Sequence, residues 1–262
     1  MFDLINYGAP KIQLFLLILL RASGVFLIAP VFSHAAVPAQ FKVALILLLT
    51  IVLMATLGGT VLPTVTSVAD LGVMALKELL VGVVIGFVFA ILFWGVQAAG
   101  SIAGYQMGLT IASVIDPATN QEDSIISQFW LLVALLIFFG INGHHMIIRA
   151  FYDSYAAIPA GQVVINGSTG ELILKYSAYV LVIALKLAAP VMVTMFLTDI
   201  ALGTISKLLP TMNVFIVSFG LKIAAGLAVV ALSLPMFAYV LEKTTAFLNE
   251  QLVTLLATMG KA

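Results

Sequence analysis

The sequence predicts an all-α, polytopic integral membrane protein of about six long hydrophobic helical segments packed as hairpins. Two observations lead there. Hydrophobic residues make up 63% of the 262 residues and charged ones only 8%, with a mean hydropathy of +1.23, far from the usual soluble domain. Apolar runs also recur, each long enough to cross a hydrocarbon layer of about 30 Å at a rise of about 1.5 Å per residue. Inside such a layer an open chain satisfies its backbone N–H and C=O groups only as helix.

The first run is Ile12 to Phe32, interrupted by Arg21 and ended by Ala29-Pro30. Asp3 precedes Lys11, unlike the basic start of a cleaved signal peptide, so this run is expected to stay as a membrane element. The second, Phe41 to Leu62, closes at Gly58-Gly59 and Pro63. Ser67 and Asp70 offer start signals for the third, Leu71 to Gln97, which the glycine spacing beyond it allows to continue. The fourth, Ile125 to Ile148, follows Glu122-Asp123-Ser124. The fifth, Leu172 to Ile200, holds Pro190, and the sixth, Met212 to Leu241, holds Pro235. All are apolar around most of their circumference, which suits lipid or a membrane-protein interior. No coiled-coil heptads or short fixed-period repeat is evident. Connections are short except for a central loop and the segment Phe151 to Glu171, and the steady composition predicts one unit over 1–262. With six spans the termini share a side, and the Lys/Arg distribution favours the cytoplasm. Trp94 and Trp130 flank the central loop, where they anchor it at an interface or simply pack.

That central stretch, AAGSIAGYQMGLTIASVIDPATNQEDS from Ala98 to Ser124, is the least hydrophobic long run. Gly100, Gly104 and Gly108 recur every fourth residue, a spacing that makes one smooth helix face and lets another backbone approach closely. A short apolar patch (Leu109 to Ile115) follows, then Asp116-Pro117 and an acidic tip at Glu122 and Asp123. Long connections without structure of their own are either functional or disordered. This one reads as a gate or plug held among membrane helices, against the plainer reading of a solvent loop between two spans.

Arg21, Lys77, Glu78, Lys186, Asp199 and Lys222 lie in or beside apolar runs. A charge near the bilayer centre costs roughly 2.5–3.5 kcal/mol on insertion scales, so partners or a wet cavity are expected. Three readings stand for Arg21, Glu78, Lys186, Asp199 and Lys222: buried ion pairs, a water path, or snorkelling to the interface. Lys186 and Asp199 are too far apart on one helix to pair, so each requires a partner elsewhere. Gly82 and Gly86 repeat the small-residue spacing and, like Gly100 and Gly104, predict helix packing, within the chain or against a partner.

Catalytic signatures are missing. The absence of cysteine excludes disulfides, thiolate metal sites and cysteine nucleophiles. No His-Glu-x-x-His occurs, and the adjacent His144 and His145 are expected on different helix faces. GSIAG at 100–104 is not a nucleophile elbow, because its serine directly follows the first glycine. No phosphate-binding glycine loop ends in Gly-Lys-Ser/Thr. With zero net charge and no basic run, nothing points to nucleic acid. The expectation is no enzyme and no cofactor.

Several stretches resemble one family. They are Arg21-Ala-Ser-Gly with Ala29-Pro-Val-Phe and Val37-Pro; Lys77-Glu-Leu-Leu-Val-Gly82 followed by Gly86; and the AAGSIAGYQMG run with Ile115-Asp116-Pro117. Further along come Gly143-His144-His145, Ser154 through Pro159, Ala188-Ala-Pro190, Asp199-Ile-Ala-Leu-Gly203 and Pro210-Thr-Met-Asn-Val-Phe215. In this order, over nearly the whole chain, they resemble the FliR/SctT family of type III export gates, with Thr211 standing where that family carries glutamine.

The resemblance implies a structural and gating subunit of the flagellar protein export gate, in the bacterial inner membrane at the flagellar basal body. It implies assembly with FliP and FliQ into a helical spiral around a pore, beside FlhB and FlhA, for passage of unfolded flagellar proteins. Residues 1–165 would be a FliP-like half and 166–262 a FliQ-like hairpin with a C-terminal tail. Much of the apolar surface would then meet neighbours as well as membrane lipid. The implied barrier falls on Gln106, Met107, Gly108, Leu109, Ile111, Val114, Asp116 and Pro117. The main rival is a self-contained secondary transporter or channel for a small solute, whose proline-broken helices Pro190 and Pro235 weakly imitate.

Overall fold

A computed structural model describes residues 2–33, 37–57, 63, 67–109, 124–164, 166–209 and 213–260. Among them the chain forms helices and no strand. These are α1 (Phe2–Ile28), α2 (Pro30–Ser33), α3 (Ala39–Leu57), α4 (Val68–Gln106), α5 (Ile125–Gly140), α6 (Gly143–Ala157), α7 (Gly167–Ser177), α8 (Tyr179–Leu208) and α9 (Val214–Met259). Five helical stretches are long and apolar enough to cross a membrane, or six if α5 and α6 make one broken span. The all-α membrane class is therefore the observed one.

Two compact units share the chain: Met1–Ile91 with Asn142–Ser177 and Thr245–Ala262, and Leu92–Ile141 with Ala178–Thr244. Both draw on α4, whose most apolar stretch is 72% buried where that of α3 is only 11% buried. Helix α4 is thus far more enclosed by the chain than α3. It starts with a reciprocal cap: Asp70 N–H donates to Ser67 Oγ at 3.1 Å, and Ser67 N–H donates to the Asp70 carboxylate at 3.0 Å.

In the first unit α1 packs on α3 and on the first half of α4. Leu17, Ile18, Ala22 and Val25 of α1, with Val81, Ile85, Val88 and Phe89 of α4, are nearly solvent-free. The end of α9 belongs here too. Thr245, Leu248, Leu252, Leu255 and Met259 are buried at alternating steps of three and four residues, the spacing of one helix stripe. The sixth apolar run was expected to stop at Leu241; the helix continues to Met259 because this last part is amphipathic, carrying Lys243 and Glu250 on its exposed side. Average hydropathy misses such a stripe. Tyr176 of α7 closes the unit by donating from its hydroxyl to Gln251 Oε1 at 3.1 Å.

In the second unit the last part of α4 packs with α5, α8 and α9. Phe93 meets Phe138 edge-on at 5.3 Å, and Trp130 lies 5.5 Å from Phe237. Trp130 is only 1% exposed, so it is a core residue and not an interfacial anchor; Trp94 is half-exposed. Helix α8 runs unbroken through Pro190, where Thr194 donates its hydroxyl to the Pro190 carbonyl at 2.9 Å, and α9 runs unbroken through Pro235. The broken helices of the transporter reading are absent at both prolines.

Three expected boundaries moved. The fourth run is interrupted at Ile141-Asn142, where Asn142 takes a left-handed φ of 58°, and helix then continues to Ala157. The supposed long connection from Phe151 to Glu171 thereby shrinks. The fifth run begins earlier, as α7, and α8 extends to Leu208. Large apolar side chains stand outward along α3 (Phe41, Leu48, Ile51) and α8 (Val193, Phe196, Leu197, Ile200). A soluble monomer does not carry contiguous apolar faces of this size, and a membrane location accounts for them.

Candidate functional site

Two places gather the residues singled out from the sequence. The first is a buried charge cluster. Arg21 (α1) and Glu78 (α4) are both fully buried, with Arg21 Nε donating to Glu78 Oε2 at 2.6 Å. Arg21 Nη1 donates to Ser154 Oγ at 2.9 Å and Nη2 to the Ile158 carbonyl at 3.0 Å. The Tyr155 ring lies 3.9 Å from the guanidinium carbon, a cation–π contact strengthened by the lack of water. The other carboxylate oxygen of Glu78 accepts from Gly161 N–H at 2.7 Å. Gly161 has φ +80°, which only glycine adopts freely, and a side chain there would press on the Pro63 ring at 3.0 Å.

Each charge is thus paired and hydrogen-bonded, as a buried charge must be. The cluster joins α1, α4, α6 and the turn at 158–161. Among the readings left open, ion pairing fits Arg21 and Glu78, since neither is reached by solvent. Ser154, Tyr155 and Gly161 were not singled out for this role. A Pro-Ala-Gly turn is visible in the sequence, but nothing local tells that its N–H meets a carboxylate 83 residues away.

Asp199 has the partner on another helix that its distance from Lys186 called for, but the remaining charges are less enclosed than Arg21 and Glu78. Lys222 Nζ and Asp199 Oδ1 pair at 2.5 Å between α9 and α8, with side chains 22% and 55% exposed. Lys186 is exposed. These three lie on sparsely covered helices, where a head group reaches the surface instead of being enclosed. His144 and His145, expected on different faces, have ring centroids 4.1 Å apart.

The glycines pack helices within the chain. A Cβ on Gly82 would strike the Arg21 carbonyl oxygen and stand 3.0 Å from the Gly24 Cα; one on Gly86 would stand 2.9 Å from the Val25 carbonyl oxygen. In the second unit, a Cβ on Gly100 would meet the Ser127 backbone, with its N at 2.8 Å, and one on Gly104 would meet the Ser124 hydroxyl. Ser124 is at the same time the N-cap of α5, accepting from Ile126 N–H at 3.3 Å.

The second place is the end of α4. Gly108 has φ 82°, its N–H donates to the Tyr105 carbonyl at 3.0 Å, and Leu109 N–H donates to the Gly104 carbonyl at 3.0 Å. This pair of bonds around a left-handed glycine is the Schellman stop. So the third run continues as helix along the glycine face from Ala98 to Gln106, the continuation that its glycine spacing allowed. Met107 is fully buried, Leu109 half-buried, and Gln106 Oε1 is buried with no hydrogen-bond partner among the described residues. Ile111, Val114, Asp116 and Pro117 lie outside the described residues. Valine at position 108 should fray this stop, because a left-handed β-branched residue costs about 1–2 kcal/mol. Faster amide exchange at residues 104–109 is the expected readout.

Comparison with known proteins agrees with the motif reading. The chain is 32% identical to the flagellar biosynthetic protein FliR of Bacillus subtilis over 249 residues, 94% of this chain and 95% of that one. It is 28% identical to FliR of Escherichia coli over 220 residues, 84% of each chain. The Yop proteins translocation protein T of Yersinia pestis is 30% identical over 150 residues, 56% of this chain and 58% of that one. These are names of export and translocation proteins, not of enzymes. The family model for bacterial export proteins, family 1, matches residues 12–248, a span holding both the buried charge cluster and the end of α4, and the chain belongs to that family.

Proposed function

We propose that this chain is a structural and gating subunit of the flagellar type III protein export gate. In this reading it forms, with FliP and FliQ, a pore in the bacterial inner membrane, beside FlhA and FlhB, and unfolded flagellar proteins pass through. Residues 1–165 act as a FliP-like half and 166–262 as a FliQ-like hairpin and tail. The apolar faces left uncovered on α3 and α8 support completion by neighbouring chains and lipid.

The observation that carries the gating part is the end of α4: a defined Schellman stop with Met107 buried, directly before the apolar stretch Leu109 to Ile115. A plug needs a rigid root and an apolar stretch for a dry closure, and Gln106, Met107, Gly108 and Leu109 supply that root. Ile111, Val114, Asp116 and Pro117 continue it as the closing segment in this reading.

Deleting residues 110–117 tests it. Membranes carrying the variant in its assembled complex should leak small ions at rest, while intact chain keeps them tight. Unchanged resting conductance would remove the plug, and a tagged chain that purifies without FliP and FliQ would remove the shared pore.

A further inference from the structure

We propose that Gly226 of α9 is the seat that holds the end of α4, making it a positioning residue for the gate. This inference rests on the plug reading above and adds the element that fixes the plug's root. A methyl group placed on Gly226 Cα would stand 2.6 Å from both Cγ and Cε of Met107 and 2.7 Å from its Sδ. The thioether therefore lies directly on bare α9 backbone, and any side chain at position 226 would make it shift. Gly220, one and a half turns earlier, has nothing within 4 Å of where its Cβ would be. Glycine weakens a helix interior, so its presence at 226 is explained by the contact, whereas at 220 no contact calls for it.

The seat is built to release. Met107 is fully buried, and its unbranched thioether adapts to an irregular gap. Its neighbour Gln106 keeps Oε1 buried without a hydrogen-bond partner among the described residues. Burying the methionine stabilises the docked end of α4, and stripping water from the glutamine oxygen opposes it with a penalty of the same order. The backbone bonds at Gly108 lie within α4 itself and survive undocking. Displacement of Gln106 and Met107 gives up the buried thioether contact and lets water reach the glutamine amide. Gly226 lies far in sequence from the plug and sets the position from which the plug departs.

The chain has no cysteine, so Met107→Cys with Gly226→Cys introduces a single possible cross-link within it. Under a mild oxidant the pair should form a disulfide, seen as a gel shift reversed by thiol. Export should stop on oxidation and return on reduction, while resting conductance stays low throughout. Thr169→Cys with Thr258→Cys, whose hydroxyl oxygens lie 3.5 Å apart between α7 and α9, serves as the positive control. A control that cross-links while 107 and 226 do not would overturn the seat. Export that continues through the oxidised complex would overturn its release, leaving the plug to be judged by the 110–117 deletion. A second pair guards against misfolding: Gly226→Leu should raise resting ion conductance and Met107→Ala in the same chain should lower it again. A Gly226→Leu complex as tight as the parent would also overturn the proposal.

Discussion

Arg21→Met should leave the chain largely unable to fold, while Arg21→Met with Glu78→Leu should recover a substantial part of the lost stability. The single change strips Glu78 of its guanidinium and leaves a carboxylate in a place that water does not reach. Breaking a buried pair from one side costs about 3–5 kcal/mol, a large share of the roughly 5–15 kcal/mol that holds a typical domain together. The Ser154 hydroxyl and the Ile158 carbonyl lose their donors as well. In the double variant no isolated charge remains, and swapping a buried pair for apolar groups is often close to neutral. Recovery stays incomplete because Gly161 N–H then has no carboxylate to meet. The yield of monodisperse protein after detergent extraction, and its thermal unfolding, are the measurements. Equal losses in the single and double variants would mean that the pair is not what joins α1 and α4.

Gly82→Leu should be nearly as damaging, and for a different reason. At this crossing the atoms in the way are the Arg21 carbonyl and the Gly24 Cα, both backbone. A flexible side chain could turn aside; backbone cannot. Helices α1 and α4 must separate, and overpacking of this kind costs about 1–3 kcal/mol before any loss from the charge cluster that the same crossing carries. Gly72 on the same helix provides the contrast, having nothing within 4 Å of its Cβ direction. Gly72→Ala should leave assembly intact and stabilise the helix by up to about 1 kcal/mol. Similar losses at positions 72 and 82 would show that helix propensity and not close approach governs α4.

Together the charge cluster and the glycine crossing make the first unit a rigid frame around the first half of α4. The second half of the same helix packs against α5 and α9, where Ser127 Oγ donates to the Gln97 carbonyl at 3.0 Å and Gln106 Oε1 has no hydrogen-bond partner among the described residues.

The amino-acid order alone was enough for the membrane class and for the helix starts at Ser67 with Asp70 and at Ser124, while the ends of α5, α8 and α9 departed from the expected boundaries. Composition reports burial, and caps are local: Ser67 with Asp70, Ser124, and a glycine at position 108 need only neighbours within a few residues. Motif order was likewise enough for family. What tertiary structure alone decided is every partnership across distance. Lys186, Asp199 and Lys222 looked as enclosed as Arg21 and Glu78, yet only the last two are sealed in, because burial depends on which helices cover a site and not on the run that carries it. The amphipathic end of α9 escaped a hydropathy reading since its stripe becomes apolar only when seen from one side. Gly226 was indistinguishable from Gly220 until Met107 was found lying on it. A sequence states which side chains are present and where the backbone turns; packing, which brings residues distant along the chain within van der Waals reach, chooses among the contacts they allow.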